Sequence, residues 1–266
     1  MTPISDPEIA QGRKMELAEF LTNSFWGTVI RSPLRLLPRN ADVPILRGPL
    51  RGKRWIIGSH RHACWLGIYE TALQKLIKQR VVPGSIFYDV GANAGLYTLL
   101  AATCVGEGRV IAFEPVPANV ASLRKHIGLN HLENVTVFDA AVSDRSGSTS
   151  FATGITCADG HISSQGDLQV QTVTLDGLIH EQDVPPPDFI KMDIEGEEFR
   201  ALQGARECFA RFRPELFLAT HGKNVHEECC RLLQSWHYEI TVLENWEAER
   251  ATLHATPTAI IRESRS

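Results

Sequence analysis

From residue 83 onward the chain alternates short apolar runs with longer segments of helical spacing. The short runs predict strands at residues 86–90, 110–113, 135–140, 189–193, 216–220 and 238–243. The longer ones predict helices at 96–105, 117–129, 197–209 and 225–236, with Pro117 placed where a first helical turn accepts proline. A last strand at 258–261 is expected to insert antiparallel beside its neighbours. Residues 148–151 and 169–173 are expected to pair as a hairpin framing a polar loop, 153–167, that reads as a mobile lid. Such alternation predicts an α/β fold, a mostly parallel sheet with helices on both faces.

Before residue 83 the pattern is different. Helical spacing is expected at 6–21, extended or looping chain at 33–49, a short hairpin at 48–57, and a second amphipathic helix at 64–78. The reading is an N-terminal cap segment, 1–82, followed by the sheet domain, 83–266.

One turn carries the first chemical signal. The run Phe87-Tyr88-Asp89-Val90 leads into Gly91-Ala92-Asn93-Ala94-Gly95 and then a helix, and the next strand ends in Phe113-Glu114-Pro115. Glycines let a ligand approach the backbone, and an acid ending the second strand can take two ribose hydroxyls. A dinucleotide site wants Gly-x-Gly-x-x-Gly, so that a diphosphate can sit on a helix N-terminus. Here the spacing is Gly91-x-x-x-Gly95, with Asp89 just before it. A carboxylate there repels a diphosphate and suits a cationic amino group and sulfonium, which points to S-adenosylmethionine (SAM). Tight turning alone is the other reading of the two glycines.

Composition narrows the field. The 266 residues contain 43% hydrophobic and 22% charged residues, ordinary for a globular domain. Net charge is −4 and no basic tract stands out, which argues against a nucleic-acid partner. No apolar run is long enough to span a membrane, and the N-terminus lacks an export pattern, so the expected location is cytoplasmic. Six cysteines form no C-x-x-C pair, which leaves no structural zinc signature.

Strand C-termini gather the remaining candidates, because ligands of open α/β sheets bind there. They are Asp89, Glu114, Asp139, Asp193, Glu195 and His221. Asp139 with Ala140 ends the third strand, where a carboxylate can accept an adenine amino group; a solvated loop acid is the alternative. Lys191, Asp193 and Glu195 share one strand face, and three ionisable groups there are costly unless paired or functional. They read as a salt-bridged network, as a grip on acceptor and cofactor, or as ligands of a divalent cation; no metal set is assigned. His221 is the general-base candidate, with His60, His62 and His161 as competitors.

With these residues in view, the chain resembles the FkbM family of SAM-dependent methyltransferases. The matching blocks are residues 88–98, Gly108-Arg109-Val110-Ile111-Ala112-Phe113-Glu114-Pro115, Asn134-Val135, Ala140-Ala141-Val142-Ser143-Asp144, Thr174-Leu175-Asp176 and the stretch 189–198. The resemblance implies a Rossmann-like class I methyltransferase sheet of seven strands and methyl transfer mostly to oxygen, often on sugars or secondary metabolites. It implies that Asp89, Gly91, Asn93 and Gly95 hold the methionine part, that Glu114 holds the ribose, and that Asp139 and Ala140 border the adenine. Asp193 and Glu195 fall on the fourth-strand motif. Members often carry an acid shortly before the fifth-strand histidine, where this chain reads Leu218-Ala219-Thr220-His221. The expected function is O-methylation of a small-molecule hydroxyl. A metal-assisted variant, a nicotinamide oxidoreductase and a non-catalytic binding module are the rivals.

Overall fold

Strands and helices form where the periodicity places them, with boundaries set by glycine and by tertiary contacts. The computed structural model describes residues 37–152, 161–162, 166–181, 184–247 and 250–258. In chain order the elements are β1 (Asp42–Pro44), β2 (Arg54–Ile56), α1 (His62–Leu66), α2 (Thr71–Arg80), β3 (Ile86–Val90), α3 (Leu96–Val105) and β4 (Arg109–Phe113). They continue with α4 (Pro117–Leu129), β5 (Val135–Phe138), β6 (Ala140–Val142), β7 (Gly147–Ala152), β8 (His161–Ile162), β9 (Leu168–Val173) and α5 (Leu175–Glu181). The last are β10 (Phe189–Met192), α6 (Glu198–Gln203), α7 (Arg206–Phe212), β11 (Glu215–His221), α8 (Lys223–Ser235), β12 (Tyr238–Glu247) and β13 (Arg250–Pro257).

Seven strands make the main sheet in the order β12-β13-β11-β10-β3-β4-β5. The strands from β5 to β11 pair in parallel, and β13 runs antiparallel between β11 and β12. From β3 the chain first winds outward through β4 to β5, then crosses back to β10 and winds the other way. The order therefore reverses between β3 and β10, which is where an open α/β sheet opens a crevice for ligands. Tyr88, Ile111, Ile190 and Leu216 pack on one face with Leu178, Leu202, Phe209 and Leu233 from α5 to α8. Ala112 points to the other face and packs with Leu123 of α4. Period-two alternation thus buries both faces, as a doubly covered sheet requires.

Several boundaries differ from the sequence reading. The third strand stops at Phe138 instead of reaching residue 140, and β6 then joins a second sheet in parallel with β9. That sheet, β6-β9-β7-β8, contains the expected pairing of β7 with β9. The helix expected at 197–209 divides into α6 and α7 at Gly204, where an added Cβ would lie 2.1 Å from the Ser143 carbonyl oxygen. The helix expected at 64–78 is interrupted after Leu66 by left-handed Gly67. The antiparallel strand is 250–257; of the 258–261 expected for it, only Thr258 is described. The front hairpin pairs β1 with β2, outside most of the 48–57 span. The helix expected at 6–21 and most of the loop 153–167 lie outside the described residues. Among described residues no helix is long and apolar enough to cross a membrane.

Candidate active site

A cleft opens at the reversal between β3 and β10 and encloses about 1080 Å³ of space, counting its open mouth. One wall is the turn after β3, with Gly91 to Ala94, Leu96 and Tyr97, together with Phe113 to Val116 and Asn119. Ala140, Ala141, Val142 and Phe151 add an apolar corner. Lys191, Asp193, Ile194, Glu195 and Glu197 supply a charged side, and Trp55, His60, Arg61, Cys64, Tyr69 and Arg250 the facing wall.

The turn is built by backbone demands. The N–H groups of Gly91 and Ala92 both donate to the Phe113 carbonyl, at 3.0 and 2.9 Å, and bend the chain off β3. Gly91 has φ +78°, and a Cβ there would lie 2.0 Å from the carbonyl oxygen of Asp193. Only glycine lets these two strand ends approach so closely.

Glu114 ends β4 at the rim and is 4% exposed. Its Oε2 accepts from the Asn93 N–H at 2.8 Å, and its Oε1 from the Val116 N–H at 2.9 Å and Asn119 Nδ2 at 3.2 Å. Burial pushes this carboxyl above its ordinary value, and the three donors offset part of that rise. A carboxylate so fixed beside the apolar corner suits a ribose with its base. The donor set of the cleft, acidic and apolar, fits SAM.

The charged side is a connected network. Lys191 Nζ lies 3.8 Å from both Asp89 Oδ1 and Asp193 Oδ2, and 5.0 Å from the Tyr97 ring centre. Arg250 Nη2 donates to Asp193 Oδ2 at 3.2 Å and to Glu70 Oε1 at 2.7 Å. Tyr97 OH donates to Glu70 Oε2 at 2.6 Å. Burial works to raise the Asp193 carboxyl, but Lys191, Arg250 and His221 outweigh it and hold it below its usual value. Glu70, Asn93 and Glu195 all hold left-handed backbone, at φ 41°, 49° and 54°. Three such non-glycine residues at one site mark backbone held in place by its surroundings.

His221 sits behind this network. Its Nδ1 pairs with Glu198 Oε1 at 2.9 Å, and its Nε2 lies 3.6 Å from Asp193 Oδ1 and 3.4 Å from Glu195 Oε2. Burial alone would lower its pKa; the Glu198 hydrogen bond and the carboxylates of Asp193, Glu198 and Glu195 raise it instead. Glu198, fully buried, also accepts the Ile194 and Gly196 N–H groups at 3.2 and 3.1 Å, so it fixes the acidic turn and the imidazole together. Asp193, Glu195 and His221 are close enough to share a cation. However, Arg250 and Lys191 already balance Asp193.

The structure brings Gly91, Asn93, Glu114, Ala140, Asp193 and Glu195 to the cleft. Asp89, Gly95, Asp139 and His221 are not among its lining residues. Asp89 is fully buried, accepts Thr98 Oγ1 at 2.6 Å, and acts on the cleft through Lys191. Gly95 has φ +95° and packs against Leu123. Asp139 turns outward to Arg124, at 2.7 Å, as the chain leaves β5 for the second sheet. Among the competing histidines, His60 lines the cleft, while His62 accepts the Trp65 indole N–H at 3.0 Å. His161 falls in β8.

Sequence reasoning missed Trp55, Arg61, Phe151 and Arg250, which come from segments without a motif. Glu198 lies inside the family-like stretch 189–198, and its spacing from His221 gave no sign of their contact.

The Methyltransferase FkbM domain model matches residues 89–240 of this chain. Over 132 residues the chain is 29% identical to the hexuronic acid methyltransferase AglP of Haloferax volcanii, covering 49% of this chain and 54% of that protein. Over 151 residues it is 25% identical to the 2-O-methyltransferase NoeI of Sinorhizobium fredii, covering 49% of this chain and 61% of that one. The chain thus spans little more than half the length of these relatives. Among solved structures, it superposes on the FkbM methyltransferase of Methylobacillus flagellatus KT with a TM-score of 0.48 and 22% identity, over 65% of this chain and 43% of that one. The family match covers β3 to the start of β12, with the glycine turn, Glu114 and the acidic turn after β10; the chain belongs to the FkbM family of SAM-dependent methyltransferases.

Proposed function

We propose that this protein transfers the methyl group of SAM to an oxygen of a sugar acceptor. The observation that carries the reading is the single cleft joining Glu114, the apolar corner and the acidic turn 193–195 at the reversal of strand order. The names of two relatives, a hexuronic acid methyltransferase and a 2-O-methyltransferase, support a sugar as acceptor.

Bound in the cleft, SAM supplies an electrophilic methyl group on a sulfonium. Glu114 would hold its ribose, Ala140 and its neighbours would flank the base, and Asn93 with the acidic turn would face the methionine part. The facing wall of Trp55, His60, Arg61, Cys64, Tyr69 and Arg250 would shape the acceptor space. Glu195 faces the cleft and accepts the proton of the attacking hydroxyl. Burial pushes its carboxyl above the ordinary value, opposed by His221, which makes it a stronger base than a solvated glutamate. His221 is a positioning residue, steering Glu195 and Asp193 from behind while Glu198 holds its other nitrogen. Alignment supplies most of the rate, and the base adds roughly 10²–10⁴-fold.

The test combines calorimetric binding of S-adenosylhomocysteine with transfer of label from methyl-labelled SAM to sugar acceptors. Glu114→Ala is expected to weaken binding at least about tenfold, the loss of one charge-assisted contact. Glu195→Gln is expected to retain binding and lose turnover. Absence of binding in the wild-type protein would overturn the reading.

A further inference from the structure

The segment that matches the family, 89–240, supplies the donor side of the cleft. The facing wall of Trp55, His60, Arg61, Cys64, Tyr69 and Arg250 lies wholly outside that segment. What distinguishes this chain's acceptor is therefore to be sought in the facing wall.

Among the described residues three cations line the cleft: Arg61, Lys191 and Arg250. Lys191 is shared between Asp89 and Asp193, and Arg250 is bound to Glu70 and Asp193. Arg61 is exposed and forms no ion pair or side-chain hydrogen bond among the described residues. Its neighbour His60 is held down to about 4 by burial and then by the Arg61 charge, so it remains neutral at physiological pH and competes for no anion. Besides Arg61 and the paired Lys191 and Arg250, the charged residues of the cleft are the acids Glu114, Asp193, Glu195 and Glu197. A neutral sugar leaves the Arg61 guanidinium in water. An anionic sugar would be repelled by the acidic side unless a cation met its charge, and a guanidinium meets a planar or tetrahedral oxyanion with two parallel N–H donors.

We infer that Arg61 receives the anionic group of an acidic sugar acceptor and thereby selects for it over the neutral sugar. The inference rests on the cleft being a sugar methyltransferase site. A carboxylate and a phosphate share this chemistry, and the experiment separates them.

The protein saturated with S-adenosylhomocysteine is titrated with D-glucuronate, D-glucose 6-phosphate and D-glucose, and binding is followed by calorimetry or saturation-transfer NMR. The expected result is at least one acid bound about tenfold or more tightly than glucose, the scale of one charge-assisted pair. Whichever acid gains identifies the group. Arg61→Gln is expected to bring that acid to the level of glucose without changing affinity for S-adenosylhomocysteine, and Arg61→Lys to restore part of the preference. Equal affinity for acid and neutral sugar, binding of neither acid, or a preference that survives Arg61→Gln overturns the inference while leaving the methyltransferase reading intact. Failure of S-adenosylhomocysteine itself to bind overturns both.

Discussion

His126 joins the front hairpin to the glycine turn, and its charge state links that joint to pH. The ring is fully buried in α4 and stacks on Trp55 at 4.0 Å between centres. Its Nε2 lies 2.9 Å from the Ile56 N–H, which can only donate, so Nε2 must accept and Nδ1 must carry the proton given to the Ala94 carbonyl at 2.7 Å. A second proton on Nε2 would face a donor. Burial accordingly lowers the pKa from 6.5 to about 4, against the opposing pull of the Ala94 carbonyl. Because the folded-state value is depressed, the neutral form stabilises the fold. That contribution is complete above the unfolded value near 6.5 and is lost as pH falls from there to about 4. A shift of this size corresponds to about 3 kcal/mol. His126→Phe keeps the stacking but strands one buried donor and one acceptor, at about 1–3 kcal/mol each, not fully additive. Urea denaturation from pH 8 to pH 4 should therefore show the wild-type advantage over His126→Phe shrink by about 3 kcal/mol. His60 titrates in the same sense, so the difference between the two proteins isolates His126. A gap that stays constant with pH, or widens in acid, would refute the assigned tautomer and the argument built on it.

Glu198→Ala should destabilise the fold by roughly 2–5 kcal/mol, since it strands two backbone N–H groups and one imidazole N–H; Glu198→Gln, which keeps an acceptor, should cost less than half as much by the same denaturation assay. NMR titration of Glu198→Gln should also show the His221 pKa moving down from its raised value. Gly91→Ala should cost more than about 2 kcal/mol, because φ is left-handed and the new Cβ meets the Asp193 carbonyl oxygen. Methyl transfer should persist in excess chelator, because Arg250 and Lys191 already balance Asp193. Loss of activity in chelator that added Mg²⁺ restores would instead make Asp193, Glu195 and His221 metal ligands.

How much was legible follows the range of each interaction. The glycine turn, the acid after β4 and the alternation of strand with helix are local, and each could be read from the chain. The break at Asp139 could not, because it comes from a change of strand partner, with β6 pairing to β9 instead of extending β5. The division between α6 and α7 answers to a carbonyl at Ser143, distant in sequence.

By itself, the sequence determined the class of the fold, the family and the strand ends that approach a ligand, because periodicity and short motifs encode backbone geometry within a few residues. Only the tertiary structure decided which acids face the cleft. Asp89 lies near the end of β3 and Glu195 just beyond β10, yet Asp89 is sealed behind Lys191 while Glu195 lines the cleft. It also decided that the partner of His221 is Glu198, 23 residues earlier, and that Trp55, His60, Arg61, Cys64, Tyr69 and Arg250 form the facing wall. Such choices depend on side chains brought together across the fold, where burial and charge set the cost of each arrangement, and no local pattern records them.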